Sequence, residues 1–202
     1  MTKLVLASTN QHKLIELNAM FSQYENDANA THHHQIFSQS EYSIPPIAET
    51  GTTFIENAII KARHSAHHTK LPTIADDSGL TIAALNNQPG VYSSRFAGNS
   101  ATDRDNLEKV LDLMQKIPNE KRQATFHCVL VLMLNENDPT PLIAHGFWHG
   151  YILTKPQGKN GFGYDPIFFV PTHNCSAAEL PTNLKNQISH RGQALQKLRD
   201  ML

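Results

Sequence analysis

Lys13 stands where elementary electrostatics asks for a carboxylate. The chain opens with a short apolar run, Leu4-Val5-Leu6-Ala7, followed by Ser8-Thr9-Asn10 and then by Leu14, Ile15, Leu17 and Phe21 at helical spacing over His12 to Phe21. That pattern predicts a buried strand feeding a helix, and Ser8, Thr9 and Asn10 are all good N-cap residues. With Asn10 as the cap, Lys13 falls on the third helical position, which a capping box fills with Glu or Gln. A cation there faces the unpaired N–H groups of the first turn and the positive end of the helix dipole. Hydroxyls and backbone N–H groups delivered to a helix start make an anion site, and an added lysine suits a multiply charged anion such as a polyphosphate. The alternative is a solvated lysine on an exposed helix face.

A polyphosphate brings a divalent cation, and that cation needs oxygen ligands. "IADDSGL" supplies Asp76 and Asp77 at the end of an apolar strand, just before Gly79. Neighbouring strand residues point to opposite faces, so one of the two enters a given site; a pair of turn-forming aspartates is the alternative. Glu49 in "AETGTTF" is a second carboxylate, either a ligand or a loop charge, whereas Glu56 is explained by capping with Thr53. The loop "GKNGFGYDP" lacks the spacing of a P-loop and does not lead from a strand into a long helix, so both Gly-rich phosphate fingerprints are excluded. It presents Phe162 and Tyr164 on flexible backbone, for stacking on a base or for packing in the core. "ISHRGQAL" places His190 and Arg191 in the first turn of the last helix, shortly after Lys185. This second crowding of cations at a helix start points to an anionic or carbonyl-rich ligand. The run His32-His33-His34 is no metal site, because consecutive side chains diverge and no matching ligand spacing accompanies them. His67-His68 suit the C-terminal end of a helix dipole.

The elements that must position these residues follow from pattern. "TTFIENAIIKARHSAHH" is a helix with a Thr53–Glu56 capping box, and "TDRDNLEKVLDLMQKI" is a second, with Leu107, Val110, Leu111 and Met114 as its apolar face. "TIADDSGLTIAALNNQPG" reads as a strand, a break at Gly79, a strand, and a turn at Asn86-Asn87. Two long strands, Ala124 to Leu134 and Leu142 to Leu153, form an antiparallel hairpin across "NENDPTP". A poor strand near Gln35-Ile36-Phe37, a short one at Ile167-Phe168-Phe169, and a C-terminal helix capped by Ser189 complete the set. Early alternation with a later hairpin implies an α/β protein with a mixed sheet.

Composition sets the outer limits. The 202 residues, 40% hydrophobic and 17% charged, make a globular chain long enough for a sizeable core. A formal charge of −1 excludes bulk binding to nucleic acid or anionic membrane. Cys128 and Cys175 make no disulfide framework, which suits a reducing compartment. The N-terminal apolar run is too short for a signal peptide and no segment is long enough to span a bilayer, so the cytoplasm is the expected location.

Six blocks in order, "LVLASTNQHKLIEL", "ETGTTFIENAIIKAR", "IADDSGL", "PGVYSSRFAG", "GFGYDPIFFVP" and "SHRGQAL", resemble the Ham1-like inosine/xanthosine triphosphate pyrophosphatases over nearly the whole chain. The resemblance implies one catalytic domain over residues 1–202, a homodimer of two-lobed subunits, and an elongated mixed sheet flanked by helices around a deep substrate cleft. It implies hydrolysis of ITP, dITP and XTP to the monophosphate and pyrophosphate with Mg2+. Ser8, Thr9, Asn10, Gln11, His12 and Lys13 would hold the triphosphate, whose charge would let Lys13 tolerate the helix dipole. Asp77 would be the catalytic carboxylate, binding Mg2+ or accepting a proton from the attacking water, with Glu49 as the other metal ligand and Ser78 against the substrate. Phe162, Gly163, Tyr164 and Asp165 would line the base and sugar pocket, with Phe162 stacking. Lys185, His190 and Arg191 would approach the base. Donors there reward the C6 carbonyl of hypoxanthine or xanthine and leave adenine's amino group facing unpaired donors, a discrimination on the order of 10⁴-fold in favourable cases.

Other readings are weaker. A Maf-like pyrophosphatase would carry Ser-Pro-Arg-Arg where this chain has "STNQHK". A non-catalytic nucleotide-binding regulator has no need of Asp77, Glu49 and Lys13 together. A histidine-rich metal-binding protein rests on His32 to His34 alone.

Overall fold

A computed structural model describes residues 2–25 and 34–202, with no side-chain account for Thr2, 22–25 and His34. The chain runs β1 (Thr2–Leu6), α1 (Gln11–Glu25), β2 (His34–Ser38), α2 (Phe54–Thr69), β3 (Thr73–Ile82), β4 (Gln88–Pro89), α3 (Asp103–Leu113), β5 (Gln123–Met133), β6 (Leu142–Ile152), β7 (Phe168–Val170), β8 (Cys175–Ser176), α4 (Thr182–Ile188) and α5 (His190–Arg199). The sheet has eight strands in the order β2-β1-β3-β5-β6-β7-β8, with β4 on β3. β1 is parallel to both β2 and β3, while β3–β4, β6–β7 and β7–β8 are antiparallel. Ile152 N, at the end of β6, donates to Arg122 O beside the start of β5, so those two neighbours also run antiparallel. The expected mixed α/β sheet is present.

Two compact units share this sheet: Met1–Asp77, Cys128–Gly146 and Ala194–Leu202 make the first, Ser78–His127 and Phe147–Gln193 the second. In the first, period-2 alternation divides the strands between two cores. Leu4, Leu6, Ile74, Cys128, Leu130 and Leu132 pack with Leu17 and Met20 of α1 and with Leu195 and Leu198 of α5. The intervening residues Ala7, Ala75, Val129, Val131 and Met133 pack with Ala58 and Ala62 of α2. One face is therefore closed by α1 and α5 and the other by α2. The second unit has one core, in which Leu80, Ile82, Phe126, Trp148, Tyr164 and Phe168 meet Leu107 and Val110 of α3 and Met114 at its C-cap.

Two local features differ from the sequence expectation or exceed it. β3 runs unbroken through Gly79, where a break is expected. An extended glycine costs only up to about 1 kcal/mol, which the complete burial of Leu80 and Ile82 outweighs. The turn at Asn86-Asn87 is present, with both residues in the left-handed region. Helix α4 has no counterpart in the sequence reading; at Thr182–Ile188 it is too short for a periodic signal. The His32-His33 part of the histidine run lies outside the described residues, as does the side chain of His34.

Arg122 is the least expected core residue of the second unit, being 4% exposed. Its Nε donates to Ile152 O at 2.6 Å, Nη2 to Leu153 O at 2.8 Å, and Nη1 to Met114 O at 2.7 Å and Ile117 O at 3.2 Å. It closes the end of α3 onto the end of β6. Arg122→Leu keeps apolar bulk and strips those carbonyls of their donor, so it is expected to cost at least about 2 kcal/mol. Urea denaturation measures this; a change under about 0.5 kcal/mol would contradict the role.

Candidate active site

The first unit gathers one set of chemical groups at the end of β1 and the middle of β3. Ala7 N bonds Ile74 O at 2.9 Å, holding the exit of β1 beside β3. Asn10 caps α1 as its type and position predict: its Oδ1 accepts from His12 N at 3.0 Å and Lys13 N at 3.3 Å, and its own N–H donates to Ser8 Oγ at 3.1 Å. Thr9, Gln11 and His12 are exposed on this helix start, while Ser8 and Lys13 are half-buried.

Lys13 reaches back from the helix start to Asp76, donating to its Oδ1 and, at 3.3 Å, to its carbonyl oxygen. The sequence reading assigns compensation of this lysine to a ligand; the structure supplies it from within the protein. Asp76 is wholly buried, and its Oδ2 accepts from Cys128 Sγ at 3.4 Å. Asp77 lies on the other face of β3, as strand geometry requires, and meets a different lysine. Lys61 Nζ donates to Asp77 Oδ1 at 2.5 Å and to Asp76 O at 2.9 Å, and stands 3.3 Å from Glu49 Oε1. The Asp76 carbonyl oxygen thus accepts from two ammonium groups, one rising from each face.

Lys61 is the residue that sequence reasoning missed. A signal existed: Asn57, Lys61 and Ser65 form an i, i+4, i+8 polar row beside the Ala58-Ala62-Ala66 stripe, and Asn57 and Ser65 are wholly buried. A polar row on the buried side of a helix asks for a reason. Burial presses the Lys61 ammonium down, but the charges of Asp77 and Glu49, the Asp77 hydrogen bond and the charge of Asp76 outweigh it, leaving it above the usual lysine value. Burial pushes the Asp77 carboxyl up, and Lys61 and Lys13 offset this only in part while Glu49 adds to it. The cluster holds three carboxylates and two ammonium groups. Its carboxylate oxygens are the donors a hard divalent cation prefers. Among the described residues no group of three or more His, Cys, Asp and Glu is arranged as a complete metal cage. A cation here would lean on few protein ligands, the manner in which Mg2+ is bound with phosphate oxygens and water.

The second unit holds the other predicted residues. Asp165 and Lys185 form a buried ion pair at 2.7 Å. Asp165 Oδ2 also accepts from Phe162 N at 2.9 Å. Gly161 makes this approach possible: its φ is +76°, and a Cβ there would lie 2.1 Å from Asp165 Oδ2. The half-buried Phe162 ring has Lys185 Nζ 5.0 Å and the Arg191 guanidinium 5.8 Å from its centroid. Arg191 is 2% exposed and its Nη2 donates to Ser78 Oγ at 3.4 Å. His190 stacks on Phe126, with centroids 4.7 Å apart and planes 9° apart. Ser189 Oγ accepts from Gly192 N at 3.2 Å, the expected cap of α5. Gly163 N donates to Asp103 Oδ2 at 2.8 Å. Tyr164 sits in the core with its hydroxyl donating to Ser93 O at 2.7 Å, and burial, with the Asp103 charge, pushes that hydroxyl up. Phe162, Asp165, Lys185 and Arg191 are therefore brought together, with Ser78 on Arg191; Tyr164 turns away into the core.

Lys61 makes a pH-dependent prediction. Its folded value lies above 10.5, so its stabilising contribution is fully present below pH 10.5 and is lost as pH rises through the folded value. Lys61→Met leaves Asp77 and Glu49 without their shared cation and raises the Asp77 carboxyl further. The variant is expected to lose about 3 kcal/mol at pH 8, and the deficit is expected to shrink as pH falls through the carboxylate range. Urea midpoints at pH 8 and pH 5 measure it; a pH-independent deficit would contradict it.

Comparison with known proteins places the chain in a family. A sequence model of the Ham1 family matches residues 4–201. The chain is 57% identical to a dITP/XTP pyrophosphatase of Vibrio cholerae over 98% of its own length and 95% of the relative's. It is 55% identical to that of Coxiella burnetii over 100% and 97%. Among solved structures, a HAM1 protein from Coxiella burnetii superposes with a TM-score of 0.89 at 54% identity, covering 100% of this chain and 98% of that one. The dITP/XTP pyrophosphatase from Mycobacterium abscessus does so with a TM-score of 0.76 at 37% identity, covering 99% of each. Matched from end to end by the family model and by relatives more than half identical to it, this chain belongs to the Ham1 family.

Proposed function

We propose that this protein hydrolyses ITP, dITP and XTP to the nucleoside monophosphate and pyrophosphate, keeping deaminated purines out of DNA and RNA. The observation that carries the reading is the meeting of Lys13 and Lys61 with Asp76, Asp77 and Glu49 at the middle of β3. Its likeness over full length to enzymes named dITP/XTP pyrophosphatase supports the substrate class. We assign the triphosphate to the helix start Ser8 to Lys13 and to Lys61, and the base to Phe162, Lys185, His190 and Arg191, with Ser78, Gly163 and Asp165 beside them. Both compact units belong to one catalytic domain in this reading.

Water attacks the α-phosphorus, the bond from that phosphorus to the α,β-bridging oxygen breaks, and pyrophosphate leaves. Asp77, pushed up by burial, is suited to accept the proton of the attacking water. Lys13 and Lys61 hold charge that grows on the departing pyrophosphate, and they do so from fixed positions, with no reorganisation at the moment of reaction. Asp165 holds Lys185 and Phe162 N, so that donors facing a C6 carbonyl are set before the base arrives.

Three carboxylates against two lysines leave the first cluster with an excess of one negative charge. A triphosphate would meet repulsion there unless a divalent cation came with it. Glu49 and Asp77 are the residues we assign to Mg2+, which when bound polarises phosphoryl oxygens and neutralises phosphate charge. A homodimer and a cytoplasmic location belong to the same proposal. Cys128 and Cys175 form no disulfide, which suits a reducing compartment, and no described helix is long and apolar enough to cross a membrane.

Product analysis with ITP and ATP side by side, in Mg2+ and in EDTA, tests substrate, bond and cofactor together. The expected outcome is metal-dependent cleavage of ITP to IMP and pyrophosphate with ATP spared; release of orthophosphate, or equal cleavage of ATP, would overturn the reading. Asp77→Asn keeps shape and removes charge, so turnover is expected to fall by ~10³-fold or more with the fold retained by circular dichroism. Turnover within tenfold of the unsubstituted protein would remove Asp77 from catalysis.

A further inference from the structure

Glu49 comes from a loop, not from a strand or helix, yet it meets Lys61 at 3.3 Å. Something must hold that loop against α2. Part of the fastening is the capping box: Glu56 Oε2 accepts from Thr52 N at 2.7 Å and Thr53 N at 2.9 Å, and from the Thr52 and Thr53 hydroxyls at 3.0 and 3.1 Å. These bonds stop at Thr52 and leave the segment nearer Glu49 to another contact. That contact is Asn57, wholly buried, whose Oδ1 accepts from Gly51 N at 2.8 Å. The junction has no spare room, since a Cβ on Gly51 would lie 2.5 Å from Glu56 Cβ and 2.7 Å from Asn57 Oδ1. One helical turn after Asn57, on the same side of α2, stands Lys61.

We infer that Asn57 is a positioning residue for Glu49: its side-chain carbonyl pins Gly51, two residues after Glu49, so that the loop and Lys61 are referred to the same face of α2 and the carboxylate is held ready for its cation. Its side-chain amide nitrogen has no hydrogen-bond partner in the structure, although it is buried. A residue kept only for packing would be apolar here, because burying an unpaired amide is unfavourable. The carbonyl bond to Gly51 is what an apolar residue of the same size would lose. Asn57 touches neither substrate nor metal in this account. The inference rests on the reading of Glu49 as a metal ligand, and two measurements separate its failure from the failure of that reading.

The first is hydrogen exchange by mass spectrometry on the metal-free full chain. Asn57→Ala is expected to speed exchange of the peptide covering Gly51 at least tenfold and to leave the peptide over 58–66 of α2 unchanged. Asn57→Asp retains an acceptor and is expected to keep Gly51 slow, which separates the hydrogen bond from general damage to the helix. Slow exchange at Gly51 in Asn57→Ala would overturn the inference, whatever the enzyme's cofactor proves to be. The second is ITP hydrolysis titrated with Mg2+. Asn57→Ala is expected to raise the Mg2+ concentration for half-maximal rate about tenfold, with kcat at saturating Mg2+ within about threefold of the unsubstituted protein. A lowered kcat with unchanged Mg2+ dependence would mark a merely structural residue. Metal-independent hydrolysis by the unsubstituted protein would instead strike at the cofactor assignment, and the exchange result would still decide whether Asn57 pins the loop.

Discussion

Consecutive residues of a β-strand cannot point the same way, and the first unit is organised around that constraint at Asp76 and Asp77. Each aspartate faces a helix that covers its own side of the sheet. α1 covers the face of Leu4, Leu6 and Ile74, and from its first turn Lys13 reaches Asp76. α2 covers the face of Ala7 and Ala75, and from its second turn Lys61 reaches Asp77. The backbone between the two aspartates serves both, because the Asp76 carbonyl accepts from each lysine. Two cations from opposite faces are thereby brought to one oxygen. Carboxylates must accompany them, since unshielded like charges at such a distance would repel strongly with little water between them.

The same logic holds in the second unit. Lys185 and Asp165 are both buried, and a buried pair is stable only if its remaining donors and acceptors are used. Asp165 meets this by also accepting from Phe162 N, which ties the aromatic ring to the ion pair. Two cations then stand near one ring, an arrangement that gains energy from the ring's negative face. The groups are fixed by protein partners before any ligand arrives, so their orientation need not be set at ligand binding. Asp77 and Ser78 are neighbours in sequence on β3, so a single peptide bond separates the last residue of the first set from the first residue of the second.

Much of this was legible in the residues, and the parts that were not share a physical character. The Asn10 cap, the Thr53–Glu56 box and the divergence of Asp76 from Asp77 follow from local geometry, and all three are present. So are the long hairpin and the first-turn placement of His190 and Arg191, because strong periodicity and a cap fix them. Lys61 was missed because a lysine in a helix is by default a solvated residue, and its burial depends on β3, fifteen residues further along the chain. Arg122 was missed for the same reason, with its acceptors on α3 and at the end of β6. Gly79 misled in the opposite direction: a local breaker gave way to the burial of Leu80 and Ile82, which only the assembled sheet provides.

The position of Lys13 illustrates how far a local conflict can carry. A lysine in the first turn opposes the dipole by less than about 1 kcal/mol, and a polyphosphate would reverse the sign of that interaction. Before any ligand is present, however, the ammonium already has an anion, since Asp76 accepts from it out of the sheet. Asp76 in turn is wholly buried, and without Lys13 its charge would be stranded. Each residue therefore removes the other's penalty, which is why a cation persists at a helix start and a carboxylate in a core. Phosphate oxygens arriving at the helix start would find Lys13 already aimed by Asp76, with the carboxylate restraining the ammonium and weakening its attraction for the anion. Full neutralisation by the carboxylate would leave little attraction. The positive end of the α1 dipole, whose His12 and Lys13 N–H groups Asn10 caps, adds a field that the carboxylate does not cancel.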